Sequence, residues 1–191
     1  EKALAESHSV SRGPIREAFR RLEQAGLVEI IVNRGVFVRQ LNPEDAADLC
    51  DIKASLSALA GRVLANGINA AQLRTLKGMV ARMEELAAAG DVEAYYPLNV
   101  DFHTNMLEFT GNARLIEMCA SVDKELYLFK RKSMDAGAGM DRSVAEHRVI
   151  IEALENHDEK AASEIMWQHA ITGKQRLLGV IPDSGREGRS V

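Results

Sequence analysis

Three histidines, His103, His147 and His169, stand in stretches that carry apolar residues at helical spacing. Asn99, Phe102 and Met106 share the face of His103, while Ile150, Ile151 and Leu154 accompany His147. Ile165 and Met166 precede His169 by four and three residues. One histidine on such a face is ordinarily a core residue with a satisfied hydrogen bond. Three on different helices of one bundle are the donors from which helical proteins assemble metal sites. Asn99, one turn before His103, offers a side-chain oxygen as fourth ligand, whereas Asp101 points to the far side of its helix. Three imidazoles, one oxygen and open positions suit zinc, nickel or a similar divalent ion. His157 reads as a surface residue in a polar turn, and His8 lies far away in the sequence.

Such a centre fits three roles: a receptor for a small carboxylate, a water-activating hydrolase or lyase, or a dimerisation module with structural histidines. The enzyme reading lacks a partner base. Glu146 neighbours His147 but is expected to face elsewhere on the helix, and no phosphate loop or nucleophile elbow appears. Lys53 and Arg131 are the candidate second positive groups for a carboxylate effector, with Arg131 inside the basic run Lys130-Arg131-Lys132.

A second chemistry lies near the start of the chain. Arg12, Arg16 and Arg20 recur every four residues and so share a helix face. An arginine fork can grip guanine bidentately or hold phosphate. Ser11 is a fitting cap for this helix, Pro14 belongs in its first turn, and Gly26 ends it near Gln24. Ile15, Ala18, Phe19 and Leu22 are its expected buried face, with Leu4 and Ala5 buried in the short helix before it. Two β-rich runs around Asn33-Arg34-Gly35 predict a hairpin with Arg34 at its tip. Helix, turn, basic helix and hairpin together make a winged helix-turn-helix, whose second helix lies in the major groove of DNA. A solvated amphipathic helix would show the same arginine period, but not the added cap, turn and hairpin.

The whole-chain charge of −4 hides this. Residues 1–40 hold seven basic and five acidic side chains, and residues 41–191 hold 17 and 23. A local cluster matters more to phosphate than the sum does. The remaining elements must position the histidines: helices near 43–66, 69–89, 91–110, 112–134, 141–156 and 158–179, punctuated by Gly67, Gly90 and Gly111. Pro97 should kink or restart the third of these. The fold class is therefore mainly α, a partial winged helix-turn-helix followed by an all-α bundle of six to seven helices. The expected domains are 1–40 and 41–179, with a loose tail at 180–191. No apolar run is long enough to span a bilayer, and two cysteines, Cys50 and Cys119, fit a reducing cytoplasm.

The run from Ser11 to Val28, SRGPIREAFRRLEQAGLV, resembles the signature of the GntR family of bacterial transcription regulators. Asn33–Val38 is similar to that family's wing, and Glu1–Glu6 to the helix before the recognition helix. The resemblance implies a further helix upstream, DNA contacts at Ser11, Arg12, Gly13 and Arg16, and wing contacts at Arg34 and Gly35. Asn99-Val100-Asp101-Phe102-His103, Glu146-His147 and Gln168-His169 resemble the motifs of the FCD effector domain, found in the FadR branch of the family. That implies three histidine metal ligands, with Asn99 where Asp is usual, and Lys53 and Ser57 where Arg and Glu are common. It also implies a homodimer on a palindromic double-stranded operator, with effector binding coupled to DNA affinity.

Overall fold

The computed structural model describes residues 2–24, 26–38, 43–134 and 139–179, without the side chains of 43 and 127–134. The expected domain boundary at 40–42, the tail at 180–191 and the Arg131 side chain lie outside the described residues.

The chain opens with α1 (Lys2–Ser7) and α2 (Arg12–Gln24), followed by β1 (Val28–Ile31) and β2 (Gly35–Val38). Ser11 immediately precedes α2, and Pro14 sits in its first turn, where a missing N–H costs nothing. Past the helix end, Gly26 adopts φ 73°, a left-handed conformation that glycine takes without steric cost. The strands pair antiparallel with Val28 opposite Val38 and Ile31 opposite Gly35, so Val32-Asn33-Arg34 form the loop. Three expected burials fail outright. Leu4 is 41% exposed, although Ala5 beside it is buried. No residue of α2 is buried: Ile15 and Phe19 are half-covered, Ala18 and Leu22 exposed. The physical reason is that α2 packs mainly on α1 and β1, too little protein to cover its whole apolar stripe.

Six long helices follow: α3 (Pro43–Gly67), α4 (Ala70–Ala89), α5 (Val92–Phe109), α6 (Ala113–Met134), α7 (Gly139–Glu155) and α8 (Glu159–Leu178). Their starts are written in short polar side chains. Asn69 accepts from the Ala71 and Gln72 amides while Gln72 reciprocates, and Asp91 and Asp158 accept from Ala94 and Ala161. Pro97 does not restart α5, which runs on through it.

Helices α3 and α8 form the central antiparallel pair. Gly61 faces Ala162 at one end, and Lys174 Nζ meets Asp51 Oδ1 at 2.6 Å toward the other. The approach at Gly61 is so close that a Cβ there would fall 2.5 Å from the Ala162 carbonyl oxygen. The core around this pair is built from Leu64, Leu76, Met83, Tyr95, Phe102 and Ile150, all fully buried. Among the described residues, four polar side chains are buried with it: Asn99, Ser143, His147 and Thr172. No helix there is long and apolar enough to cross a membrane.

Candidate metal centre and the family of the chain

The packing of α5, α7 and α8 brings His103, His147 and His169 together. Ring centroids are 5.2 Å apart for His103 and His147, 5.1 Å for His103 and His169, and 4.9 Å for His147 and His169. One ring nitrogen from each lies within 4.8 Å of the others. His147 is fully buried beneath Phe102, and the other two are half-buried.

The protonation pattern follows from the partners. His169 Nδ1–H donates to Glu146 Oε2 at 2.6 Å, which leaves Nε2 to face His103 Nε2 at 3.3 Å. Two nitrogens held 2.0–2.1 Å from one tetrahedral ion would stand about 3.3–3.4 Å apart, so this separation fits a shared cation. Burial pushes the Glu146 carboxyl up. The hydrogen bond from His169 and the charges of His169 and Arg176 outweigh that, and the net effect lowers its pKa. Burial drives His147 well below the usual histidine range, helped by the charges of His169 and Arg176. A neutral imidazole with a free lone pair is the form that binds metal.

Asn99 meets the same test. It is 7% exposed, and its Oδ1 is buried without a hydrogen-bond partner. His147 Nδ1 is likewise buried and unpartnered. Orphaned buried acceptors are costly unless something occupies them. Three imidazoles and one amide oxygen, with unpaired acceptors on His147 and Asn99, fit a divalent ion.

The centre opens into a cavity of about 470 Å³ between α3, α5, α6 and α8. Asn99, His103 and His169 line it, as do Lys53 and Arg176. Lys53 is bound to Asp123 Oδ2 at 2.5 Å, so its charge is already matched. The sequence reading missed two residues here. Glu146, expected to face elsewhere, instead supports His169 and lies 3.6 Å from Arg176 Nη1. Arg176 was not singled out at all, yet its Nη1 is buried without a hydrogen bond. Its signal was position: seven residues after His169, it falls on nearly the same face of α8.

The basic residues of the first region behave differently. Ser11, Arg12, Gly13, Arg16 and Arg20 are all exposed on or before α2, and Arg34 and Gly35 are exposed at the hairpin. Arg21 is turned into a pair with Glu17 at 3.4 Å.

Comparison with known proteins fits both halves of this geometry. Residues 1–38 match the bacterial regulatory proteins of the gntR family, and residues 48–172 match the FCD domain. The chain belongs to the GntR family of transcriptional regulators and carries an FCD domain. It is 28% identical to a probable D-xylose utilization operon transcriptional repressor of Paenarthrobacter nicotinovorans, over 88% of this chain and 74% of that one. It is also 28% identical to the Uxu operon transcriptional regulator of Escherichia coli K12, over 93% of this chain and 77% of that protein. A solved GntR regulator from Rhodococcus sp. RHA1 superposes with TM-score 0.74 at 25% identity, covering 94% of this chain and 86% of that one. The families and relatives are transcriptional regulators, not enzymes.

Proposed function

We propose that this GntR regulator binds a palindromic operator as a homodimer in the cytoplasm and changes its operator affinity when a small carboxylate enters the helical cavity. Residues 1–40 act as a winged helix-turn-helix head, 41–179 as effector-binding and dimerisation domain, and 180–191 as a flexible tail. Arg12, Arg16 and Arg20, with Ser11 and Gly13, meet bases and phosphates from α2, while Arg34 and Gly35 do so from the hairpin.

The observation that carries the sensing role is that the three-histidine cluster, with an orphaned Asn99 oxygen, opens into a cavity of about 470 Å³. His103, His147 and His169 would hold zinc or nickel, with Asn99 Oδ1 beside them. When bound, that ion supplies a positive centre with open positions for a carboxylate oxygen. Glu146 holds His169 in the tautomer that presents Nε2 inward. Arg176 supplies a fixed positive charge at the same end of the cavity, the role assigned from sequence to Lys53 and Arg131. Metal analysis of the purified protein tests the reading. The expected result is about one zinc or nickel per chain and a higher melting temperature when either is added. No bound ion and no stabilisation would remove the metal-dependent reading.

A further inference from the structure

The walls of the cavity carry more information than its metal end. Besides Arg176, six α8 residues, Met166, His169, Ala170, Gly173, Lys174 and Leu177, line it at a spacing that keeps one helix face inward. From His169 to Leu177 the helix rises about 12 Å. The antiparallel register fixes what stands opposite. With Gly61 against Ala162 and Asp51 against Lys174, the His169 level meets α3 near Ser57, and Cys50 lies two turns further along. There Cys50 packs with Leu177 in a small apolar cluster, and Leu27, from the turn before β1, is another residue of the cavity wall.

The cavity thus has a polar pole at the histidines and Arg176, and an apolar pole at Cys50 and Leu177. Among the described residues the exposed wall is mainly carbon, from Val100, Leu107, Ile116, Ala120 and the small pair Ala170 and Gly173, with hydroxyls from Ser57, Tyr96 and Thr104. Among the described residues, Lys53 is paired with Asp123 and Lys174 with Asp51, while Lys124 also stands on the wall. A second carboxylate or a row of hydroxyls would lose water there and gain few partners. An alkyl or aryl body would lose nothing.

Resting on the carboxylate-receptor reading, we infer that the effector is a monocarboxylate with an apolar body. Its carboxylate lies at the histidine and Arg176 pole, and its body runs toward Cys50 and Leu177. A polyhydroxylated acid is the wrong occupant. Among the described residues, Leu27 is the wall residue contributed by the DNA-binding half.

Calorimetry on the zinc-loaded full chain tests this with hexanoate and gluconate, six-carbon monocarboxylates that differ in hydroxyl content, and with decanoate for length. Each methylene buried raises affinity about fourfold. Hexanoate is expected to bind at least about tenfold tighter than gluconate, and decanoate tighter again by about tenfold or more. Gly173→Leu, which fills the middle of the cavity and removes a helix glycine, should cost decanoate about tenfold or more while bound zinc stays unchanged. Gluconate equal to or tighter than hexanoate would overturn the inference and leave the carboxylate receptor standing. Zinc-loaded protein that binds none of these acids, nor acetate, would overturn the receptor reading and this inference together.

Discussion

The two halves of this regulator put their polar chemistry in opposite places. In the DNA-binding half the arginines lie outside, α2 buries no residue, and Phe37 and Val38 of the hairpin are exposed. In the helical half the outer faces carry ordinary charge pairs, and the informative polar groups, Asn99, Ser143 and His147, are inside. A surface that must meet a polyanion needs mobile cations in water, where phosphate contact is cheap to make and break. A pocket that must recognise a small molecule needs donors held rigidly in low dielectric, where each unsatisfied group is costly. The difference separates an exposed cationic surface from an interior of buried polar groups.

If that separation is right, damage to one half should leave the other's chemistry intact. The largest expected effect is His147→Ala. Zinc affinity should fall more than about a hundredfold, beyond the 10–100-fold typical of an outer partner, while metal-free DNA affinity stays constant. Equilibrium dialysis and a gel-shift titration measure the two arms. Conversely, Arg12→Ala combined with Arg16→Ala should weaken DNA binding by about 2–4 kcal/mol, roughly thirty- to a thousandfold, with zinc content unchanged. Unaltered DNA affinity would remove α2 as the reading element.

Smaller changes sharpen the boundary inside the helical half. Glu146→Gln keeps the shape but weakens the hold on His169, and zinc affinity should drop about tenfold without loss of fold. Gly61→Ala touches neither chemistry. Its Cβ would meet the Ala162 carbonyl, and separating α3 from α8 should cost about 1–3 kcal/mol, seen as a lower melting temperature. A melting temperature equal to the parent's would mean that the helix pair yields without strain.

Much of this was legible in the sequence because it rests on local rules. Asn69, Asp91 and Asp158 announce helix starts through short side chains that reach the backbone amides just ahead, and Gly90 with φ 67° announces an end. The three histidines were legible because apolar neighbours at i±3 and i±4 fix the inward face. Glu146 and Arg176 were not, because long side chains travel beyond the face their Cα occupies. Glu146 stands about 100° around α7 from His147, yet its carboxylate reaches His169 across the α7–α8 interface. The exposure of Leu22 and Leu4 was equally hidden, since periodicity names an apolar face but not the element that covers it.

The central claim joins the two halves: what fills the helical cavity changes how the head holds DNA. It is tested most directly by fluorescence anisotropy of labelled DNA from upstream of the protein's own gene, titrated with the zinc-loaded full chain, with and without saturating decanoate. A coupling of about 1–3 kcal/mol, a five- to 150-fold change in DNA affinity in either direction, is the predicted result. The same acid bound at the same zinc-loaded site with DNA affinity unchanged would contradict it.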